Sequence, residues 1–281
     1  MAESNPRAWV TLADHTIAEI TEDGISKTYP LDGRDISVGD DGTVWVLVNE
    51  LLPDPNGGSD DFLSGYTLYN NASGDFRRIE GVTAVRLDAS WNKDVCYIVK
   101  DNGSVWNVDT SGTQNIVAQE DSAYEISAGP DGTIWVVSRD AIQGGAAVKY
   151  LESGYDPGNP DWKTVPGVGA TRITGQPDGK AMIIDGTGHM SRIDKDGNVE
   201  PYPVGDTVFE ASMSPSGNLW AIMFDGESPI GRSVQLQTGA EGKWVPWKLV
   251  SEDINATKID AAFAGAAPAK KAPAKKASAK K

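Results

Sequence analysis

The sequence predicts an all-β chain folded as a six-bladed propeller. Three observations carry this: a decapeptide that recurs along the chain, a repeat that reads as four strands, and two chain ends that together supply one more repeat. The decapeptide is Ile36-Ser-Val-Gly-Asp-Asp-Gly-Thr-Val-Trp45, and it returns as Ile126-Ser-Ala-Gly-Pro-Asp-Gly-Thr-Ile-Trp135. Weaker copies are Ile173-Thr-Gly-Gln-Pro-Asp-Gly-Lys-Ala-Met182 and Ala211-Ser-Met-Ser-Pro-Ser-Gly-Asn-Leu-Trp220, with a degenerate one at Leu87-Asp-Ala-Ser-Trp-Asn-Lys-Asp-Val-Cys96. In all five the first apolar residue lies nine positions before the large one.

Each decapeptide reads as the end of one strand, a tight turn and the start of a second. The Asp-Gly or Ser-Gly before the second strand supplies a glycine able to take positive φ, which a short hairpin needs. Third strands follow at Tyr66-Thr-Leu-Tyr, Ser104-Val-Trp-Asn-Val, Ala147-Val-Lys-Tyr-Leu, His189-Met-Ser-Arg-Ile and Ser233-Val-Gln-Leu-Gln. Fourth strands follow at Phe76-Arg-Arg-Ile, Gln114-Asn-Ile-Val, Trp162-Lys-Thr-Val, Val199-Glu-Pro-Tyr and Trp244-Val-Pro-Trp-Lys-Leu-Val. Repeats start 38–51 residues apart, a spacing that suits propeller blades. No stretch sustains a helical period.

The sixth unit is split between the ends. Ile259-Asp-Ala-Ala-Phe-Ala-Gly265 resembles the first strand of the repeat, and Ala8–Leu12, Thr16–Ile20 and Ser26–Tyr29 read as the second, third and fourth. Pairing them covers two otherwise open strand edges and closes the ring. The expected division is a short leader over 1–6, a propeller over 7–265 and a disordered Lys/Ala/Pro-rich tail over 266–281.

Charge is divided unevenly. Six of the 25 basic residues are lysines beyond Gly265, leaving 19 against 40 acids, a net of −21 for the body. Such a body is repelled by nucleic acid and anionic membranes, whereas the tail suits a polyanion or a protein partner. The single Cys96 excludes an internal disulfide and a cysteine metal cluster. The N-terminus has no basic and apolar pattern of a secretory signal, and no apolar run reaches membrane-spanning length. A cytoplasmic protein without membrane insertion is expected, or one exported by a route the sequence does not display.

The aromatic residues divide by register. Trp9, Trp45, Trp135 and Trp220, with Cys96 and Met182 standing in, share the second-strand position and read as inter-blade packing. Trp91 sits in a hairpin turn between Ser90 and Asn92, and Trp162, Trp244 and Trp247 belong to fourth strands. Exposed tryptophans flanked by polar groups suit stacking on a sugar. His15 and His189 occupy matching hairpins between second and third strands. Ser37, Asp88, Ser127, Thr174, Ser212 and Asp260 recur one position after the first apolar residue. Strand alternation puts these on one face, toward the channel, where Asp88 and Asp260 could hold a cation or a water. No catalytic residue, metal ligand or cofactor site is assigned.

The segment Trp162-Lys-Thr-Val-Pro-Gly-Val-Gly-Ala-Thr-Arg-Ile-Thr-Gly-Gln-Pro-Asp-Gly resembles the tectonin repeat, as does Asp35-Ile-Ser-Val-Gly-Asp-Asp-Gly-Thr-Val-Trp45. That resemblance covers about residues 7–265 and implies a six-bladed, lectin-like propeller that binds glycans on its blades; the outer Trp of the repeat is kept only as Trp162 and Trp244. Ser191-Arg-Ile-Asp-Lys-Asp-Gly-Asn-Val-Glu-Pro-Tyr-Pro-Val and Ala18-Glu-Ile-Thr-Glu-Asp-Gly-Ile-Ser-Lys-Thr-Tyr-Pro-Leu look like virginiamycin B lyase-type propellers. Those are seven-bladed enzymes with a histidine base and glutamate-held magnesium, and no such constellation follows the second strands here. The expected function is non-enzymatic recognition of a glycan or glycoconjugate through Trp91, Trp162, Trp244 and Trp247. A metal-assisted lyase and a protein-interaction scaffold are the alternatives.

Overall fold

In the computed structural model the described residues form 24 strands arranged as six four-stranded antiparallel sheets. The structure describes residues 6–49, 66–91, 94–118, 122–157, 159–202, 207–214, 217–224, 232–237, 248–251 and 254–262. Blades 1 to 5 span 33–84, 86–118, 123–170, 172–201 and 208–251, each with its strands in chain order from axis to rim. Among the described residues there are only strands, turns and bends, and no helix long and apolar enough to cross a membrane.

Blade 6 is the composite one. Its innermost strand, Ala256–Ala262, pairs antiparallel with Arg7–Leu12, setting Val10 opposite Ile259 and Ala8 opposite Ala261. The strand starts three residues before Ile259, and Phe263–Gly265 and the lysine tail lie outside the described residues.

The decapeptide folds as one hydrogen-bonded unit. Asp41 accepts the Thr43 N–H at 2.8 Å and its hydroxyl at 2.6 Å, and Asp131 repeats this with Thr133 at 3.0 and 2.7 Å. Gly42 and Gly132 between them take φ of 81° and 83°, the left-handed region a side chain resists.

Each seam between blades is filled by the large second-strand residue. Trp45, Trp135 and Trp220 are at most 1% exposed, and each clusters with the inner strands of the following blade. Trp9 packs on blade 1 and Met182 on blade 5. Burial of this kind contributes roughly 1.5–3 kcal/mol per large side chain. Blade 2 corrects the expected register. There Asp88 pairs with Tyr97, not Cys96, because Ala89 and Cys96 enclose a hairpin one residue longer than the one between Val38 and Val44. Tyr97 therefore fills the seam to blade 3, while Cys96 is buried against blade 1's Trp45.

Candidate functional site

The innermost strands present two rings of side chains to the axis, two residues apart. The ring nearer the strand starts is Asp35, Arg86, Glu125, Arg172, Glu210 and Lys258, one residue per blade and alternating in sign. Arg86 meets Glu125 at 3.2 Å, Arg172 meets Glu210 at 3.0 Å and Glu125 at 3.7 Å. Lys258 reaches Glu210 at 2.9 Å, Asp35 at 3.6 Å and Glu125 at 3.7 Å.

Burial opposes every charge in this ring, and the neighbours decide the outcome. For Glu125, Lys258, Arg86 and Arg172 together outweigh burial and hold the carboxyl below its usual range. For Asp35 burial wins over Lys258 and Arg86, and its pKa rises. Arg86, Arg172 and Lys258 are kept more firmly protonated by their acid neighbours despite burial.

The second ring is Ser37, Asp88, Ser127, Thr174, Ser212 and Asp260, which stitches all six seams. Ser37 Oγ accepts the Ala89 N–H at 2.9 Å, Asp88 Oδ2 that of Ala128 at 2.6 Å, and Ser127 Oγ that of Gly175 at 2.9 Å. Ser212 Oγ accepts from Ala261 at 3.1 Å and Asp260 Oδ2 from Val38 at 2.7 Å. Between blades 4 and 5 the sense reverses, and Thr174 Oγ1 donates to the Ala211 carbonyl at 2.9 Å. Asp88, Ser127, Thr174, Ser212 and Asp260 border the small space at the axis, and with Ser37 they join its walls. The space left between the rings is about 40 Å³, room for water and little else.

At the charged end of the channel a groove of about 650 Å³ opens across blades 3, 4 and 5. Its walls include Tyr124 and Phe209, each one residue before a ring acid, and Phe224 at the end of a second strand. Tyr124 is 42% and Phe224 46% exposed. Arg172 lies under Phe209 at 5.5 Å from the ring centre, Arg86 lies 5.3 Å from that of Tyr124, and Phe209 and Phe224 meet edge to face at 5.7 Å. The wall formed by the Asp185–Gly188 turn is rigid. Asp185 accepts from the N–H groups of Thr187 at 2.8 Å and His189 at 3.0 Å, and the Gly188 carbonyl accepts the Val208 N–H at 2.9 Å. Gly188 has φ of 86°, and a Cβ there would collide with Thr207 Cγ2.

The sequence-predicted residues do not converge on one place. Trp91 is half-buried in the blade 2 hairpin, at the channel end opposite the groove. Trp162 is half-buried against the cluster of Tyr97, Leu151 and Tyr155 in the blade 2–3 seam. Trp244 and Trp247 lie outside the described residues. The two histidines sit in corresponding turns but one residue out of register: His15 and Gly188 both hand a carbonyl to the next blade, to Gly33 and Val208. His15 does so at φ of 69°, where blade 4 uses glycine. Its Nδ1 lies 2.9 Å from Asp32 and its Nε2 2.7 Å from Arg34, so Nε2 is the acceptor and Nδ1 carries the hydrogen. His189 is exposed beside Thr187 and Asp185 of its own turn. Among the described residues no three His, Cys, Asp or Glu side chains converge on a metal-sized site.

No family model and no curated protein matches the chain. Among solved structures it is similar to a protein of unknown function from Bacteroides caccae, at 12% identity over 92% of this chain and 99% of that one, with a TM-score of 0.62. It is also similar to YCF48 bound to a D1 peptide, at 14% identity over 92% and 85% of the two chains, with a TM-score of 0.50. At these identities the likeness shows the propeller fold alone.

Proposed function

We propose that the protein is a non-catalytic recognition module that receives an extended segment of a partner protein in the groove over blades 3, 4 and 5. The observation that carries this reading is the groove itself: aromatic side chains open to solvent, Tyr124 and Phe224, on walls fixed by inter-blade hydrogen bonds. Aromatic anchors in preformed clefts supply much of the energy of peptide and protein recognition, and a rigid wall lowers the ordering cost of binding. Among the described residues the axis, by contrast, offers no carboxylate that does not already face a cation or a hydrogen donor. The peptide-bound YCF48 is an example of this fold presenting a peptide site, which favours the same class of ligand here.

The competing reading comes from the tectonin resemblance and puts glycans on blade edges at Trp91, Trp162, Trp244 and Trp247. One experiment separates them. A random peptide library is panned against the protein, and enriched peptides are titrated against wild type, a Tyr124→Ser/Phe224→Ser variant and Trp91→Ala. The expected result is a loss of about tenfold or more in affinity, roughly 1.4 kcal/mol, for the groove variant and none for Trp91→Ala. Absence of any enriched peptide, together with glycan-array binding abolished by Trp91→Ala or Trp162→Ala, would overturn the groove reading.

A further inference from the structure

We infer that Asp88 carries a proton in the folded protein and passes a hydrogen bond through Ser37 to an ionised Asp260, so that one buried proton fastens blades 2, 1 and 6. Ser37 Oγ lies 3.0 Å from Asp88 Oδ1 and 2.8 Å from Asp260 Oδ2, and it accepts the Ala89 N–H at 2.9 Å. A hydroxyl has one hydrogen to give. It can satisfy one of two carboxylates, and the second contact is attractive only when that carboxyl brings the hydrogen itself.

The remaining partners decide which carboxyl that is. Asp260 Oδ2 also accepts the Val38 N–H at 2.7 Å, while Oδ1 faces the Ser212 hydroxyl at 2.5 Å and the Ala261 N–H at 3.0 Å. Both its oxygens are surrounded by donors, the setting of an ionised carboxylate. Asp88 Oδ2 accepts from Ala128 N–H at 2.6 Å and the Ser127 hydroxyl at 3.1 Å. Its Oδ1 meets Ser37 Oγ among the described residues. The hydrogen therefore sits on Asp88 Oδ1, Ser37 accepts it alongside the Ala89 N–H, and Ser37 gives its own to Asp260.

The electrostatics point the same way. Burial lifts Asp260 to about 6, and burial followed by the Asp260 charge lifts Asp88 well above the usual range. The charged groups that line the space beside the pair are Asp35, Glu125, Glu210 and Lys258 of the neighbouring ring, which Arg86 and Arg172 complete, and the Cys96 thiol lies nearby on the second strand of blade 2. Burial and then Asp88 push that thiol up. The three cations are engaged with their own ring's acids, which leaves a proton to neutralise the second aspartate.

A carboxyl raised above its unfolded value near 3.8 stabilises the fold when protonated, and that contribution is lost as pH rises through the folded value. The contribution of the Asp88 proton is therefore present on the acid side and is lost as pH rises through the raised Asp88 value, while Asp260 is the ionised partner above about 6.

Asp88→Asn is the discriminating variant, since an amide N–H can replace the acid O–H toward Ser37 while the amide oxygen keeps the Ala128 N–H. In Asp260→Asn the new N–H₂ must face a donor. With the full chain, thermal midpoints are measured from pH 7 to 9, where Asp260 is ionised. The expected result is that Asp88→Asn stays within about 2 °C of the wild-type midpoint at pH 7 and flattens the fall at higher pH, whereas Asp260→Asn loses about 4 °C or more at pH 7. The infrared C=O band of a buried carboxylic acid should appear in wild type at pH 7 and vanish in Asp88→Asn. Persistence of that band in Asp88→Asn, or a midpoint loss equal to that of Asp260→Asn, would overturn the assignment. Should Asp260→Asn fail to fold, the band and the pH slope of Asp88→Asn still decide it.

Discussion

The two rings of the channel lie two residues apart on the same six strands, yet they hold the blades by different means. The outer ring works through charge: Arg86, Arg172 and Lys258 each sit against acids of adjacent blades at 2.9–3.7 Å. The inner ring works through direction, each hydroxyl or carboxylate reaching a particular backbone group of the next blade. Buried charges are costly when one member is removed, because the partner is left desolvated and alone. A lost neutral hydrogen bond leaves only one polar group short. The difference teaches that the charged ring imposes the larger penalty on damage, even where its net contribution to stability is modest.

The largest effect should come from removing members of both rings at once. A chain truncated before Ala256 loses a strand of blade 6 together with Lys258 and Asp260, and is expected to show no cooperative unfolding transition by circular dichroism. Truncation after Gly265, by contrast, should leave the midpoint where it is. Next in size is Lys258→Met, which strands Asp35, Glu125 and Glu210 with two cations. Urea unfolding should show a loss of about 3–5 kcal/mol, and adding Glu210→Leu should return a large part of it, since replacing a buried pair costs less than halving it. The smallest is Ser212→Ala, which leaves the Ala261 N–H and the Asp260 carboxylate each one partner poorer. Its expected cost is about 1–3 kcal/mol. A larger loss for Ser212→Ala than for Lys258→Met would reverse the ranking of the rings.

Much of this was legible in the sequence, and the failures have physical causes. The nine-residue interval from Ile36 to Trp45 reported a hairpin whose turn and buried face are both local, so blade number and closure could be read directly. The same rule misplaced Cys96 because one extra turn residue shifts a strand's register by one, and a one-residue slip sends a side chain to the other face. The inner ring was visible as polar residues after the apolar position. The outer ring lies one residue before that position, and its signal, acid then base from blade to blade, is spread over partners about 40 residues apart. It becomes visible only when the blades are set side by side. Tyr124 and Phe209 were missed for a related reason: each precedes a ring acid at a strand start, where a single aromatic carries no period. The tryptophans drew attention through their size, but Trp162 is half-buried in a seam, which size alone does not distinguish from exposure.

The channel and the groove also divide labour. Residues at the axis satisfy one another and fix the six blades, while Tyr124, Phe209 and Phe224 stand at the channel mouth on that fixed frame. A groove whose walls belong to three blades keeps its shape only while the seams between them hold. Ser127 and Thr174, which stitch those seams, are thus part of its support.

Alternation of charge around a closed circle has an arithmetic consequence. Opposite signs can follow one another all the way round only when the number of positions is even, and six satisfies this. Duplicating or deleting a single blade would seat two acids or two bases side by side at one seam, a fault that no change of side-chain conformation removes. The inner ring, which asks each blade only for a polar side chain and a backbone group, is indifferent to the count. A scaffold built this way can change its size by pairs of blades, or by one blade if one ring position also becomes uncharged, and a single added repeat without that change places like charges together at the axis.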